Sequence, residues 1–160
     1  MGKMIPPSRK SCYNFRVVKI NRVVDGDTID VTIDLGFDLL KKERVRIAGV
    51  DTPEKRTRDK EEKVLGIDAT NWMKSKLEGA IKGGEELIIR TELKGGVGKY
   101  GRLLGWLYIN DDVVSLNEQM IKEGYAWDYD GGTKKKDFEE LKKIRREFGS
   151  IEENNEWDAT

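Results

Sequence analysis

The stretch FRVVKINRVVDGDTIDVTIDL, residues 15–35, decides the fold. Its first ten residues are rich in β-branched side chains, which favour extended strands. After the short DGDT segment, the apolar residues Ile29, Val31, Ile33 and Leu35 alternate with polar ones, and this period of two is typical of a strand with one buried face. The stretch therefore predicts two strands joined by a turn.

The rest of the chain continues with three further strands and three helices. Strands are indicated by β-branched runs and alternation, and helices by apolar residues that recur every three or four positions. A proline at position 53 ends the third strand, and glycine-rich segments end the helices and connect the last two strands. The predicted strands are 43–50, 86–93 and 102–109, and the predicted helices are 60–77, 116–123 and one that starts near 133.

This order predicts an α+β fold that is mainly β. Three strands, a helix, two strands and two final helices match a five-stranded Greek-key barrel of the OB type with three helices. The chain is long enough for one core, and we expect one domain at 14–150. A flexible basic segment at 1–13 and an acidic, disordered tail at 151–160 are expected to flank it.

Composition removes several classes of function. The chain has no histidine and one cysteine, Cys12, so it lacks His-based catalysis, His-ligated metals and cysteine zinc sites. Thirty basic and thirty acidic residues balance, which argues against binding nucleic acid by net charge alone. The segment 134–146 is locally basic, and it is either a solvated helix face or a phosphate-binding surface.

Acidic residues occur at two predicted strand ends. Asp25 and Asp27 lie in DGDT, and Asp51, Thr52 and Glu54 lie in DTPE. Closure of a barrel could bring the two segments together, and two carboxylates about 4 Å apart repel by about 4 kcal/mol at an effective dielectric of 20. A divalent cation would relieve that repulsion, and all-oxygen ligands favour Ca²⁺ over Mg²⁺ or Mn²⁺. Each motif taken alone is also typical of an ordinary turn.

Two arginines accompany these acids. Arg46 lies on the polar face of the third strand, and Arg102 begins the fifth. A guanidinium group fits two oxygens of a phosphate, although both arginines could instead form surface salt bridges. A cation, two arginines and Glu54 at one rim would meet the needs of phosphodiester cleavage. The base would be either Glu54 or a hydroxide on the metal.

The segments VDGDT, VRIAGVDTPE and KYGR, in this order and with a helix between the second and third, resemble the staphylococcal nuclease (thermonuclease) family. The resemblance covers about residues 15–148. It implies a Ca²⁺-dependent nuclease that hydrolyses DNA and RNA between phosphorus and the 5′ oxygen and leaves 3′-phosphates.

The same resemblance implies a metal site. Asp27 and Asp51 would bind the cation through their carboxylates, and Thr52 through its backbone carbonyl. Asp25 resembles an acidic position near the metal that is not itself a ligand.

It also implies the residues that meet the substrate. Glu54 would activate or orient the attacking water, and Arg46 and Arg102 would contact the scissile phosphate. Lys99 and Tyr100 would contact a neighbouring phosphate.

Aromatic residues in GYAWDYDGG, residues 124–132, could stack on a nucleic-acid base. The candidates are Tyr125, Trp127 and Tyr129, and the pattern does not choose among them. Tyr125 and Trp127 could equally be aromatics at the edge of the core.

The alternative function is a non-catalytic OB-type module that binds nucleic acid or protein. Such a module would be expected to lack at least one of Asp27, Arg46, Asp51, Glu54 and Arg102, and all five are present. We further expect a monomer with no membrane segment. The opening residues contain no signal-peptide pattern, so an intracellular, cytoplasmic location is expected unless a leader has been removed.

Overall fold

The computed structural model describes residues 4–92, 102–134 and 136–158. For residue 9 and for residues 150–158 the description is of the backbone alone. The five longer strands are β1 (Cys12–Asp25), β2 (Thr28–Asp34), β3 (Leu40–Ile47), β5 (Leu87–Glu92) and β6 (Leu103–Ile109), and the two short ones are β4 (Val50–Asp51) and β7 (Trp127–Asp128). The helices are α1 (Lys60–Lys82), α2 (Leu116–Lys122) and α3 (Phe138–Asp158), with a 3₁₀ turn at Arg9–Ser11.

The five longer strands close into a barrel in the order β1-β2-β3-β6-β5. All neighbours are antiparallel except β3 and β6, which run parallel. The predicted barrel, its helices and their order along the chain are therefore confirmed. The two-residue strands β4 and β7 pair with each other outside the barrel and were not predicted.

Strand β1 is long because it serves two neighbours. Residues 12–16 pair with β5 and residues 16–25 pair with β2, with three irregularities of register along the β2 side. Bulges of this kind bend a strand and increase its twist, which closure of a small barrel requires. The DGDT turn, at the end of this bent strand, lies at one rim of the barrel.

The core fills the barrel and the space between it and α1. Three of the four alternating residues behave as predicted, since Ile29, Val31 and Ile33 are all buried. Leu35 does not, because β2 ends at Asp34 and the Leu35 side chain is exposed. From the helices, Met73 and Leu77 of α1 are fully buried in the same cluster. Close packing of this kind holds the rim strands and α1 in one fixed relation.

Helix α1 begins at a capping residue. The Asp59 carboxylate accepts the backbone N–H groups of Glu61 and Glu62, which satisfies two donors of the first turn. The helix approaches the barrel closely at Gly26, where an added Cβ would lie 2.9 Å from the Ala69 Cβ. This close approach seats α1 directly against the DGDT turn.

A buried asparagine on α2 stabilises the parallel junction of the barrel. The Asn117 amide donates to the carbonyl oxygens of Ala48 and Gly105, and its own oxygen accepts the backbone N–H of Leu107. These bonds connect the end of β3 to β6. The side chain thereby fixes the strand that carries Arg46 relative to the strand that follows Arg102.

Helix α3 packs across α1 and the end of α2. Leu141 is fully buried, and Arg145 donates to the Gly124 carbonyl and the Asp68 carboxylate. The helix continues to Asp158, so residues 151–158 of the predicted acidic tail are helical, while the proposed boundary at 150 stays a prediction. Within the described ranges, no helix has the length and apolar character that a membrane span needs.

Candidate active site

A cavity of about 490 Å³ opens at the rim of the barrel where the DGDT turn meets the DTPE segment. Its walls come from five regions that are far apart in the sequence, including the residues around the start of β6 and those after β7. The lining residues include Met4, Asp25, Asp27, Arg46, Thr52, Glu54, Arg102, Leu104, Tyr129 and Lys134.

The Asp27 carboxylate joins the two acidic segments. One oxygen, Oδ1, accepts the hydroxyl of Thr28 at 3.0 Å. The other, Oδ2, accepts the backbone N–H of Thr52 at 3.3 Å and the Thr52 hydroxyl at 3.1 Å. The DGDT turn and the DTPE segment, which lie 25 residues apart, therefore meet as the sequence predicts.

Arg46 is held in place beside Asp27. Its Nη1 donates to the backbone carbonyls of Asp27 and Ile47 at 3.3 and 3.0 Å, and its Nη2 lies 3.6 Å from Asp27 Oδ2. The side chain is 10% exposed, so it is a largely buried cation rather than a mobile surface group. A guanidinium fixed in this way needs little reorganisation to receive an anion in the cavity.

Asp51 lies beside the cavity and is almost completely buried, with 3% exposure. Its Oδ1 atom is buried without a hydrogen-bond partner among the described residues, and the Lys134 ammonium lies 3.5 Å away as an ion pair. Burial raises the pKa of the Asp51 carboxyl, the charge of Lys134 opposes that rise, and the nearby Asp27 carboxylate adds to it. The charged form of Asp51 is thus destabilised, mainly because the carboxylate has lost its hydration.

The donor atoms at this point fit a hard cation. Asp27 and Asp51 supply carboxylate oxygens, Thr52 supplies a neighbouring peptide, and Asp51 Oδ1 is buried without a hydrogen bond although Lys134 lies near it. Such all-oxygen sets suit Ca²⁺ or Mg²⁺. In the described ranges, however, no three acidic or cysteine side chains converge on one point. Protein carboxylates alone therefore do not complete a site, and backbone oxygen or water would have to contribute.

Glu54 and Arg102 line the same cavity. Glu54 is exposed, and its backbone N–H donates to the Glu62 carboxylate at 3.2 Å. Arg102 comes two residues before Leu104, which pairs with Arg46 across the parallel junction. The structure therefore brings the predicted Asp25, Asp27, Arg46, Thr52, Glu54 and Arg102 to one cavity, with Asp51 next to it.

The three candidate aromatics separate clearly. Tyr129 lines the cavity, and the Arg46 and Lys134 cations each lie 5.9 Å from its ring centre. Tyr125 instead stacks on Trp72 at 5.7 Å and lies under the guanidinium of Arg145 at 4.0 Å. Trp127 is buried, and its indole N–H donates to the carbonyl of residue 137. The structure brings neither Tyr125 nor Trp127 into the cavity.

Lys99 and Tyr100, the other two predicted substrate contacts, lie outside the described residues. Two residues that the sequence did not single out contact the site instead. Lys134 pairs with Asp51, and Glu62 accepts the backbone of Glu54. The basic segment 134–146 pointed to Lys134 in the sequence. Nothing in the sequence pointed to Glu62 except its position in the first turn of α1.

Comparison with known proteins supports one family. Residues 44–149 match the family model described as staphylococcal nuclease homologue. The chain is 35% identical over 123 residues to a thermonuclease of Staphylococcus intermedius, which covers 75% of the chain and 65% of that protein. It is 34% identical over 133 residues to the SPbeta prophage-derived endonuclease YokF of Bacillus subtilis, with coverages of 78% and 41%.

An uncharacterised protein of Methanocaldococcus jannaschii is 32% identical over 143 residues, which is 81% of the chain and 66% of that protein. The chain therefore spans less than two thirds of the length of each of these three relatives.

Proposed function

Because the chain belongs to the family of staphylococcal nuclease homologues, we propose that it is a metal-dependent nuclease that hydrolyses phosphodiester bonds of DNA or RNA. The observation that carries the proposal is the rim cavity, which Asp27, Arg46, Glu54 and Arg102 line together. The names of two relatives, a thermonuclease and an endonuclease, support the same reaction class.

We propose Ca²⁺ as the metal, with Mg²⁺ or Mn²⁺ as less favoured occupants. Asp27 and Asp51 would hold it through carboxylate oxygens and Thr52 through its backbone carbonyl, while Asp25 would add negative charge nearby. The Asp51 Oδ1 atom supports this choice, because it is buried without a hydrogen bond and its described counter-ion, Lys134, is 3.5 Å away and half exposed. When bound, the cation would neutralise charge on the phosphate and favour ionisation of water.

The protein groups divide the remaining work. Arg46 and Arg102 would donate hydrogen bonds to the phosphate oxygens and stabilise the charge that develops on them. Glu54 would orient the attacking water and accept its proton, which an exposed carboxylate beside the cavity can do. The new bond joins the water oxygen to phosphorus, the bond to the 5′ oxygen breaks, and that oxygen takes a proton, which leaves a 3′-phosphate and a 5′-hydroxyl.

Substrate contacts would extend beyond the scissile phosphate. Tyr129 is the aromatic residue that we propose for stacking on a base, because its ring forms part of the cavity wall. Lys99 and Tyr100 are retained as proposed contacts to a neighbouring phosphate.

The test is digestion of single- and double-stranded DNA and of RNA with Ca²⁺, Mg²⁺ or excess EDTA, followed by analysis of the product ends. We expect cleavage with Ca²⁺, none with EDTA, and 3′-phosphate ends. Cleavage that continues in EDTA would contradict the metal assignment. Binding of the same substrates without any cleavage would instead support the non-catalytic module.

A further inference from the structure

A buried carboxylate lies behind the segment that carries Glu54. Glu62, in the first turn of α1, is 5% exposed, and its Oε2 accepts the backbone N–H of Glu54 at 3.2 Å. Lys136 lies 3.9 Å from the same oxygen. Acidic residues are rarely buried unless they have partners, and the Glu54 N–H and the Lys136 ammonium are the partners of this carboxylate.

The same face of α1 contacts the same peptide a second time, one turn later. A Cβ added to Gly66 would lie 2.7 Å from the Pro53 carbonyl oxygen and 2.8 Å from the carbonyl carbon and oxygen of Glu54. Residues four apart share one face of a helix. Glu62 and Gly66 therefore contact the Pro53–Glu54 backbone from one side, the first by a hydrogen bond and the second by close approach.

The helix that provides these contacts is itself anchored. Asp59 caps its first turn, including the N–H of Glu62. Asp68 of α1 pairs with Arg145 of α3, and the Thr70 hydroxyl donates to the Gly66 carbonyl. The backbone of Glu54 thus rests on a fixed surface, although its side chain is exposed.

We propose that Glu62 is a positioning residue for phosphodiester hydrolysis, which holds the Glu54 backbone so that the Glu54 carboxylate faces the attacking water. The proposal rests on the proposed function. Small displacements of a catalytic group reduce turnover strongly, and a shift of 1 Å can cost roughly 10²-fold in rate. A carboxylate acceptor gives a stronger, charge-assisted bond to the N–H than a neutral acceptor does.

The experiment compares Glu62→Ala with Glu62→Gln and with Glu61→Ala as the matched control. Glu61 lies next to Glu62 in the same turn, but it pairs with α3 instead of the Glu54 segment. Two quantities are measured for each: kcat and KM with a defined oligonucleotide, and the hydrogen-exchange rate of the Glu54 amide by NMR.

We expect Glu62→Ala to lower kcat by roughly 10²-fold with KM almost unchanged, and to speed exchange at the Glu54 amide. Glu62→Gln keeps an acceptor oxygen and should restore most of both quantities, while Glu61→Ala should match the wild type. Should Glu62→Ala fail to fold, Gly66→Ala, whose Cβ would displace the Pro53–Glu54 peptide, should show the same selective loss of kcat.

The proposal is overturned if kcat for Glu62→Ala stays within about twofold of the wild type. It is also overturned if Glu61→Ala loses as much kcat as Glu62→Ala, or if the exchange rate of the Glu54 amide does not change. Failure of the proposed function looks different. In that case the wild type cleaves no substrate, while Glu62→Ala still speeds exchange at Glu54, and the catalytic purpose assigned to Glu62 falls with the function.

Discussion

The Lys134 ammonium group lies 3.5 Å from the buried Oδ1 of Asp51. This cation comes from the segment after β7, and its side chain is 47% exposed, whereas that of Asp51 is 5% exposed. Lys134 therefore provides a positive charge at the oxygen that we assign to the metal. Because two cations cannot share that position without repulsion, the lysine and the metal should compete.

Removal of this competitor should tighten metal binding. We expect Lys134→Met to lower the Kd for Ca²⁺ by a few fold, a modest effect because Lys134 is half exposed and its charge is screened by solvent. Isothermal titration in the absence of nucleic acid measures it. Lys122→Met, which removes a surface lysine paired with Glu118 on α2, is the control and should leave Kd unchanged. Weaker binding by Lys134→Met would show that the lysine supports the metal site instead.

The burial of Asp51 should also affect stability without metal. Its pKa is raised in the folded protein, mainly by burial, so its contribution to stability is fully present below the ordinary value of 3.8 and is lost as the pH rises through the raised pKa. Asp51→Asn removes this penalty. We expect its Tm in EDTA to exceed that of the wild type by a few degrees at neutral pH, with the difference shrinking as the solution is made acidic.

Thermal unfolding over a series of pH values checks the prediction. Asp112→Asn, at an exposed position, is the control. A Tm difference for Asp51→Asn that is constant with pH, or of the opposite sign, would contradict it. The same variant should lose metal-dependent cleavage, so stability and activity should move in opposite directions.

Much of the fold could be predicted because the strands carry their own period. Ile29, Val31 and Ile33 alternate along β2 and are all buried, and the helical spacing of apolar residues predicted α1, on which Met73 and Leu77 are buried. The two-residue strands β4 and β7 escaped prediction because a pair of residues is too short to show any period. Their pairing depends on the closed barrel, which brings residues 51 and 127 together.

The site could be predicted only in part, for a different reason. Asp27 and Thr52 belong to recognisable motifs at strand ends, and the barrel joins them. Lys134 is the first of three consecutive lysines, and the sequence does not show which of them contacts the site. Glu62 follows Glu61 in the first turn of a helix, where the helix dipole favours acidic residues at any position. Which of these side chains turns inward depends on tertiary contacts. The same is true of Tyr125, Trp127 and Tyr129, of which the fold brings Tyr129 to the cavity.

The buried amide of Asn117 should be one of the most sensitive positions for stability. It bonds three backbone groups at the parallel junction, and its loss would leave buried polar groups without partners. We expect Asn117→Ala to cost about 2–4 kcal/mol in the free energy of unfolding. Urea denaturation measures it, with Asn71→Ala on the exposed face of α1 as a control that should cost far less. If both variants lose the same free energy of unfolding, the hydrogen bonds of Asn117 do not stabilise the fold more than an exposed side chain does.

Glu54 gives the sharpest test of the proposed chemistry. Glu54→Gln keeps the size of the side chain and the backbone bond to Glu62, but it removes the charge that would accept a proton from water. We expect kcat to fall by roughly 10²–10⁴-fold, with Ca²⁺ affinity and oligonucleotide affinity close to those of the wild type. Single-turnover cleavage and filter binding in Ca²⁺ separate the two effects, and Glu140→Gln, at an exposed position on α3, is the control. A parallel fall of binding and turnover would assign Glu54 to holding the metal or the substrate, and a Glu54→Gln variant with full activity would leave the ionisation of water to the metal alone.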